Sequence, residues 1–304
     1  MKALVLGGGG FIGSHLVTAL LAQGVEVRVL ERPYRTRMPN IPEHPALEWQ
    51  EGDFGNLQDI HRALKEVDVV FHLVSTTQPK SSNDDPSFDV ESNLVATLRL
   101  LEQLRGRNIP LIFISSGGTV YGTPQHTPIP ETHPTEPTCS YGITKLAIEK
   151  YLALHQLLHG LDYRVLRVAN PYGPGQEANH AQGVVGTFLS RVMHDEPIEV
   201  WGDGSVVRDY LYISDTVSAL LQAAAYRGTQ RIFNIGSGGG HSVREIIAAV
   251  EQVTGKKAKV SYTAARKFDV PVSVLDISRA RSELGWQPEV DLHEGLRLTL
   301  AHIK

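Results

Sequence analysis

Gly7-Gly8-Gly9-Gly10-Phe11-Ile12-Gly13 follows the apolar run Lys2-Ala3-Leu4-Val5-Leu6 at the start of the chain. The run predicts a buried strand, and the residues from Phe11 onward predict a helix that begins inside the glycine turn. A strand, a glycine turn and a helix in this order aim backbone N–H groups and a helix N-terminus at one point, which suits a pyrophosphate. The stretch therefore predicts a dinucleotide site. The alternative is a glycine-rich turn without a ligand.

Strands and helices alternate after this turn. Strands are predicted at 25–30, 47–50, 67–73, 110–115 and 163–168, and helices at 11–21, 56–66, 87–106 and 140–159. Such βαβα alternation is typical of an α/β fold with a doubly wound parallel sheet of the Rossmann type.

A looser pattern begins near residue 170. Short strands are predicted at 198–201 and 232–235, and helices at about 181–194, 214–226, 242–254 and 293–303. We therefore predict a Rossmann domain over residues 1–170. Residues 171–304 are predicted to form a smaller, mixed, mainly substrate-binding lobe, with some of the chain returning to the first domain.

Composition excludes several classes of function. The chain has 304 residues, 41% of them apolar and 20% charged, as in an ordinary globular protein. A net charge of −4 carries no basic excess for nucleic acid or an anionic membrane. No apolar run reaches the roughly 18–20 residues of a membrane span, and the N-terminus has no signal-peptide pattern. A single cysteine, Cys139, excludes an internal disulfide and fits a reducing compartment, so a cytoplasmic location is expected.

A metal site is not expected. The 13 histidines show neither an HExxH motif nor paired spacing, and Cys139 has no CxxC partner. Cys139 is interpreted as an incidental small residue.

Tyr141 and Lys145 form the candidate proton-transfer pair. On a helix, residues four apart share a face, with Cβ atoms about 5–6 Å from each other. The ammonium would favour the phenolate and lower the tyrosine pKa from its usual ~10, which would suit acid–base work nearer neutral pH. Beside a nicotinamide, such a pair moves a proton while a hydride moves at an alcohol or ketone.

Acidic residues at strand ends refine the cofactor prediction. Glu31 ends the second predicted strand, 18 residues after Gly13. A carboxylate there accepts hydrogen bonds from a ribose diol and repels a 2′-phosphate, which favours NAD over NADP. Arg32 is the opposing signal, because a guanidinium could bind that phosphate. Asp53 follows the third strand and is a candidate for the adenine edge, with an ordinary turn aspartate as the alternative.

A series of short motifs runs along the whole chain. In order they are Gly7 to Gly13, Asp53, Asn93-Leu94-Val95-Ala96-Thr97, Ser115-Ser116 with Val120-Tyr121-Gly122, Tyr141-x-x-x-Lys145, Asn170-Pro171-Tyr172-Gly173-Pro174, Arg208-Asp209-Tyr210 and Leu284-Gly285-Trp286-Gln287-Pro288. With these motifs the chain resembles the extended short-chain dehydrogenases/reductases, in the group of nucleotide-sugar epimerases and dehydratases. The series is specific for the family and much less specific for the substrate.

The resemblance implies an NAD-dependent epimerase that inverts carbon 4 of a UDP-hexose through a transient 4-keto sugar. Tyr141 would take the proton of the carbon-4 hydroxyl, and Lys145 would tune the phenol and bind the nicotinamide ribose. A homodimer is expected through the helices near 87–106 and 141–159. The alternative is that the apolar stripes there belong to the core. The implied cofactor-binding residues are Gly7, Gly10, Phe11, Ile12, Gly13, Glu31, Arg32, Asp53, Phe54, Leu73, Asn93, Tyr141 and Lys145.

The hydroxyl partner of the tyrosine is displaced in this chain. Relatives carry a serine or threonine four residues before the tyrosine of Val-Tyr-Gly, where this chain has Gly117. Ser116 is the nearest candidate to hydrogen-bond the reacting oxygen of the sugar, and Thr119 is the second. Similar dehydratases place carboxyl groups just after this position. The glycines here disfavour dehydration, which needs both an acid and a base.

The resemblance also assigns residues to the nucleotide-sugar. Arg208 and Arg266 would pair with its phosphates, Asn170 with the pyrophosphate or sugar, and Asp269 with the nucleoside ribose. The alternatives are a surface ion pair of Arg208 with Asp209 and a solvated loop around Arg266.

Ser273 aligns with a position where related 4-epimerases carry either a bulky tyrosine or a smaller residue. The small form leaves room for an N-acetyl group. The alternative is that Ser273 faces solvent.

Two other functions share these residues. An NAD(P)-dependent reductase of a keto nucleotide-sugar would use the same pair but release its cofactor at each turnover. A cofactor-sensing regulatory protein without turnover is disfavoured by the intact pair of Tyr141 and Lys145.

Overall fold

The computed structural model describes residues 1–34, 37–176, 183–264 and 270–303. The strands are β1 (Lys2–Leu6), β2 (Glu26–Glu31), β3 (Leu47–Glu51), β4 (Val69–His72), β5 (Leu111–Ser116), β6 (Tyr163–Val168), β7 (Asn170–Tyr172), β8 (Pro197–Trp201), β9 (Val207–Arg208), β10 (Tyr210–Tyr212), β11 (Ile232–Ile235), β12 (His241–Ser242), β13 (Lys259–Thr263) and β14 (Val272–Ser273). The α-helices are α1 (Phe11–Ala22), α2 (Leu57–Ala63), α3 (Pro86–Asp89), α4 (Ala96–Leu104), α5 (Ser140–His159), α6 (Val184–Met193), α7 (Ile213–Ala225), α8 (Val243–Thr254) and α9 (Leu292–Leu300).

A seven-stranded sheet forms the centre of the fold, in the order β11-β6-β5-β4-β1-β2-β3. Strand β1 pairs in parallel with β2 on one side and with β4 on the other. The side chains of Ala3 to Leu6 are fully buried, as the continuous apolar run requires of a strand covered on both faces. The predicted Rossmann-type parallel sheet is confirmed.

The strand order reverses at β1. The chain moves outward from β1 to β2 and β3, and then returns to place β4 and β5 on the opposite side. In open α/β sheets, ligands bind at such a reversal, outside the carboxyl ends of the strands. The glycine turn after β1 lies at this point.

The helical stretch predicted near 87–106 is present over residues 86–104, with a change of helix type in its middle. The short α3 passes directly into a π-helix over Val90–Val95, which passes directly into α4. Within the wider turn, the Asn93 side chain donates to the Asp89 carbonyl at 3.0 Å. Such π-helical insertions alter the direction of side chains and often accompany functional sites.

Helix α5 has the predicted bounds. It begins at Ser140 and ends before Gly160, which closes it with φ of +69°. A left-handed residue after the last turn is the usual position for glycine. The helix buries Ile148 and Leu152 in the core cluster beneath the sheet.

The chain forms two compact units, each made of three segments. The first comprises Met1–Gly122, Pro134–Arg167 and Ala219–Phe233. The second comprises Thr123–His133, Val168–Ser218 and Asn234–Lys304, and contains short two- and three-stranded sheets with helices. Within the described ranges, no helix is both long enough and apolar enough to span a bilayer.

Candidate active site

The glycine turn between β1 and α1 is shaped by steric necessity at two positions. Gly7 has φ of +83°, and a Cβ on Gly13 would lie 2.2 Å from the Gly7 carbonyl oxygen. Gly10 differs, because a Cβ there would meet no protein atom closer than 3.4 Å. Its missing side chain therefore leaves open space at the helix N-terminus.

The N-terminus of α1 also fits an anion. Gly10, at the N-cap, supplies no side-chain cap, and the first turn contains no acidic residue. No acidic side chain of the helix's own first turn therefore competes for its N-terminal N–H groups, which suits a pyrophosphate. Phe11 and Ile12 begin this helix and are half-buried. The residues present fit a dinucleotide.

Glu31 lies at the carboxyl end of β2, beside the turn. Its side chain is 8% exposed, and its carboxylate accepts a hydrogen bond from the Gly9 N–H at 3.0 Å. The Arg32 N–H also donates to it, at 3.1 Å, while the Arg32 residue is exposed. Glu31, predicted to favour the 2′-hydroxyl of NAD, therefore lies next to Arg32, which could favour the 2′-phosphate of NADP.

The next two strand ends carry Asp53, Phe54 and Leu73. The Asp53 carboxylate accepts from the Gly55 N–H at 2.6 Å, so it stabilises a turn as the alternative interpretation supposed. Phe54 is buried, with its ring centroid 4.9 Å from that of His72. Leu73 directly follows β4 and bonds through its N–H to Leu6 at 3.0 Å. Their contacts with a cofactor stay predictions.

Asn93 is already engaged within the protein. Its Oδ1 accepts from the Thr76 N–H at 2.9 Å, and its Nδ2 donates to the Asp89 carboxylate at 3.0 Å. The side chain thus fixes the loop that follows β4. Its predicted role in cofactor binding is compatible with support of that loop.

Tyr141 and Lys145 lie on one face of α5, as their spacing predicted. The Lys145 ammonium is 5.6 Å from the centroid of the Tyr141 ring and 4.8 Å from that of Phe113. It donates to the Ile114 carbonyl at 3.0 Å. Lys145 is only 3% exposed and lies beside the end of β5, whereas Tyr141 is half-buried.

The predicted direction of the tyrosine pKa shift is wrong for the protein alone. Burial raises the pKa of Tyr141 to about 12, and Cys139 and Asp89 add to the rise, whereas a hydrogen bond with Ser75 lowers it. Burial lowers the pKa of Lys145 to about 8, against the carboxylates of Asp89 and Glu149. Desolvation raises the pKa of the phenol by more than the Lys145 ammonium lowers it. The ammonium itself donates to the Ile114 carbonyl rather than to the phenol.

A buried ionic network extends one turn beyond the lysine, and sequence reasoning missed it. The Glu149 carboxylate binds the Arg167 guanidinium with a shortest distance of 2.6 Å, and accepts from the Ser115 hydroxyl at 2.5 Å. Arg167 also donates to the Tyr121 hydroxyl at 2.9 Å. The i, i+4 spacing of Tyr141, Lys145 and Glu149 was a readable signal that all three share one helix face.

The two candidate hydroxyl partners differ in environment. Ser116 is half-buried at the end of β5, and none of the described residues hydrogen-bonds its hydroxyl. The Thr119 hydroxyl oxygen is buried, also without a partner among the described residues. The Ser116 hydroxyl is therefore the more accessible to a ligand, whereas the Thr119 oxygen is enclosed by protein and carries the cost of an unbonded buried hydroxyl.

The substrate residues that the structure describes lie in the second unit. Asn170 donates through Nδ2 to the Asp209 carbonyl at 2.8 Å. Arg208 donates to the Val270 carbonyl at 2.6 Å, and Asp209 is 1% exposed and accepts from Ser237. The alternative of a surface ion pair between Arg208 and Asp209 is therefore wrong.

Ser273 is 7% exposed and pairs in register with Arg208, so it does not face solvent as its alternative supposed. Arg266 and Asp269 lie outside the described residues. Across the described part of the chain, no group of three or more histidine, cysteine or acidic residues could hold a metal ion.

Comparison with protein families gives one match over most of the chain. The model of the NAD dependent epimerase/dehydratase family matches residues 3–236.

Solved structures resemble the chain over its full length. The UDP-glucose 4-epimerase of Thermotoga maritima, solved with UDP-glucose, is 37% identical with a TM-score of 0.94, covering 99% of this chain and 98% of that one. The Thermus thermophilus UDP-glucose 4-epimerase, in complex with NAD, is 36% identical with a TM-score of 0.91, covering 100% and 99%. The UDP-N-acetylglucosamine 4-epimerase of Methanobrevibacter ruminantium, in complex with UDP-N-acetylmuramic acid, is 29% identical with a TM-score of 0.93, covering 99% and 97%.

Proposed function

The chain belongs to the NAD dependent epimerase/dehydratase family, and on that premise we propose that it is an NAD-dependent 4-epimerase of a UDP-hexose. The observation that carries the proposal is the pair of half-buried Tyr141 and buried Lys145 on one face of α5. A phenol and an ammonium suit proton transfer at a sugar hydroxyl. The similar structures named as UDP-glucose 4-epimerases supply the substrate class.

The glycine turn and the strand ends around it would hold NAD. Gly10 would leave room for the pyrophosphate, and Glu31, which lies beside the turn, would accept hydrogen bonds from the ribose diol. When bound, NAD would supply the hydride acceptor for the oxidation at carbon 4 and, as the reduced cofactor, the hydride donor for the return step, so no net oxidation occurs. NAD binding is accordingly proposed for residues 1–170 and nucleotide-sugar binding mainly for residues 171–304, with some of the latter chain returning to the first domain.

Tyr141 serves first as base and then as acid. Its phenolate takes the proton of the carbon-4 hydroxyl. The 4-keto sugar then rotates so that its opposite face points toward the nicotinamide, and the phenol returns the proton to the oxygen at carbon 4. Burial alone raises the pKa of this phenol, so its ionisation depends on neighbouring positive charge from Lys145 and the oxidised cofactor. Lys145 also binds the nicotinamide ribose.

Ser116 is the proposed hydroxyl that orients the reacting oxygen, with Thr119 as second candidate. Ser116 ends β5, the strand whose Ile114 carbonyl holds Lys145, so its backbone is fixed close to the pair. No carboxyl side chain occurs at positions 117–119 to drive dehydration. A single acid–base residue is sufficient for epimerisation.

The UDP-sugar is recognised by residues of the second unit. Asn170, Arg208, Arg266 and Asp269 contact the phosphates, sugar and ribose, as the family resemblance assigns them. Ser273 keeps the sugar pocket wide enough for a carbon-2 N-acetyl group. Support comes from the burial of Ser273 and from the similar UDP-N-acetylglucosamine 4-epimerase.

The protein assembles as a homodimer through α5. Ile143, Tyr151, Leu154 and Leu158 share one face of this helix and are exposed in the single chain. A stripe of large apolar side chains along a long helix is typical of a protein interface. A second copy of the chain, presenting the same stripe, would cover it.

A cytoplasmic location is proposed because the single cysteine, Cys139, is a free thiol.

One incubation tests the proposed reaction. Purified protein is mixed separately with UDP-glucose, UDP-N-acetylglucosamine and UDP-glucuronate, and NMR follows the appearance of each 4-epimer. Epimerisation without added or consumed cofactor is expected, since NAD is retained through the cycle. Turnover that requires stoichiometric reduced cofactor would instead identify the reductase alternative.

A further inference from the structure

Asp89 is a buried carboxylate that touches the helix of the proton-transfer pair. It ends α3, and none of its surface is exposed. One carboxylate oxygen accepts from the Thr77 hydroxyl and from Asn93 Nδ2, and the other accepts from the hydroxyls of Ser140 and Thr144 at 2.7 and 2.8 Å. All four donors are neutral. In the described parts of the chain, no basic side chain forms an ion pair with Asp89.

The start of α5 receives its caps from other parts of the chain. Cys139 at the N-cap makes no side-chain hydrogen bond to the helix, and the first turn has no acidic residue. Instead, the Ser140 N–H donates to Asn83 Oδ1 at 2.9 Å and the Tyr141 N–H donates to Ser82 Oγ at 3.0 Å. All these acceptors come from the segment between β4 and α4.

The charge of Asp89 completes this external cap. A negative charge near a helix N-terminus interacts favourably with the helix dipole, and hydrogen bonds offset the cost of burying a carboxylate. Asp89 joins Ser140 and Thr144 on α5 to Thr77 in the loop after β4. The carboxylate therefore clamps the first turn of α5 against the carboxyl edge of the sheet.

We propose that Asp89 is a positioning residue for the proton-transfer pair, whose carboxylate tethers the first turn of α5 and places a negative charge beside Tyr141 and Lys145. The proposal rests on the proposed function, because it concerns the residues that move the proton. It assigns a role to a residue outside every motif quoted above.

The Asp89 carboxylate affects the pKa values of both Tyr141 and Lys145, and it does so without an ion-pair partner. Cys139 and Asp89 both raise the pKa of Tyr141, beyond the larger effect of burial. Asp89 and Glu149 both raise the pKa of Lys145 against burial, but Glu149 is paired with Arg167.

His72, on β4, stays neutral. Burial and the nearby Lys145 lower its pKa to about 3. His72 thus adds no positive charge beside the pair. Because the Asp89 carboxylate raises the pKa values of both Tyr141 and Lys145, its removal should lower both.

Asp89→Asn tests the charge with little change in volume. We expect kcat to fall by roughly tenfold or more with a small change in KM, since misplacement of catalytic groups costs rate. In the pH profile of kcat/KM, the limbs that arise from Tyr141 and from Lys145 should both move to lower pH. A residue with a purely structural role would lower the rate without moving the profile.

Asp85→Asn is the matched control. Asp85 is exposed and caps α3 through the Phe88 N–H at 2.9 Å, without a bond to α5. This variant should keep the wild-type rate and pH profile. An Asp89→Asn enzyme with wild-type kcat and an unmoved profile would overturn the proposal.

The double variant Ser140→Ala/Thr144→Ala tests the tether while the carboxylate stays. Its kcat should fall, but its kcat/KM pH profile should not move to lower pH. This variant keeps the proposal testable if Asp89→Asn does not fold. Wild-type kcat in the double variant would contradict the tether.

Hydrogen–deuterium exchange of a peptide covering residues 139–145 needs no turnover, and exchange should be faster in the double variant and in Asp89→Asn. Unchanged exchange would count against the tether. If the variants show these exchange differences but the wild-type enzyme epimerises no UDP-hexose, the proposed function fails and the tether stands.

Discussion

At the scale of single residues, Tyr141 is the proposed proton-transfer group. We expect Tyr141→Phe to lower turnover by roughly 10²–10⁴-fold, the usual contribution of a general acid–base group, while fold and NAD binding survive. Initial rates of UDP-galactose formation measure the effect. Tyr262→Phe, at an exposed tyrosine on β13, is the control and should leave the rate unchanged. A near-wild-type rate in Tyr141→Phe would remove this residue from the mechanism.

The hydroxyl partner is the second prediction at this scale. Ser116→Ala should slow turnover by less than Tyr141→Phe but clearly more than Thr119→Ala does. The reason is that Ser116 is half-buried, whereas the Thr119 oxygen is enclosed by protein. The two kcat values, measured under one set of conditions, decide between them. If Thr119→Ala is the slower enzyme, Thr119 is the hydroxyl partner.

The sequence predicted which residues meet but not how their surroundings change them. Tyr141 and Lys145 share a face because helical spacing is local. The rise in the Tyr141 pKa was missed because it follows from burial, which a sequence does not display. Asp89 was missed for a related reason, because its partners Ser140 and Thr144 are more than fifty positions away along the chain.

At the scale of elements, we propose that the end of β2 determines the preference for NAD over NADP. Glu31 is buried beside the glycine turn, where its charge opposes a 2′-phosphate. We expect NAD to bind at least tenfold more tightly than NADP, a difference of about 1.4 kcal/mol at 25 °C. Calorimetric titration of both cofactors into stripped protein measures this ratio. Equal or tighter binding of NADP would show that the neighbouring Arg32 determines the preference.

The exposed stripe on α5 yields a prediction about assembly. Leu158 is 60% exposed in the single chain, and a glutamate there would place charge in the proposed interface. Leu158→Glu should therefore convert a dimer to a monomer in light scattering. Leu57→Glu is the control, because Leu57 is a similarly exposed leucine on α2. A monomeric wild type, or a variant that stays dimeric, would contradict the assignment of this face.

Element prediction succeeded where patterns were local and regular. Helix α5 and strands β6 and β11 have the predicted bounds, because periodicity and flanking turn residues mark them. The helical stretch predicted near 87–106 is present, but its π-helical middle was not predicted, because there Asn93 bonds to Asp89 and to the loop after β4. Two-residue strands such as β9 and β12 are too short to show a pattern.

At the scale of the whole molecule, chemistry and substrate choice are assigned to different units. Ser273 belongs to the second unit and Tyr141 to the first. We expect the wild type to accept N-acetylated UDP-hexosamines as well as UDP-glucose and UDP-galactose. Ser273→Tyr should abolish activity on the N-acetylated pair by steric exclusion while largely sparing the plain hexoses.

Steady-state kinetics of both enzymes on both sugar pairs test this prediction, and NAD binding serves as the control, since it should not change. If the wild type rejects N-acetylated sugars, or the tyrosine variant loses both pairs equally, Ser273 does not govern substrate breadth.

The interleaving of the two units has a consequence for recombination with relatives. The chain changes unit after Gly122, His133, Arg167, Ser218 and Phe233, so an exchange of one complete unit requires five crossovers. A chimera joined once near residue 170 would combine parts of both parents within each hydrophobic core. Specificity should therefore be transferred between homologues more readily by exchange of single side chains than by exchange of halves of the gene.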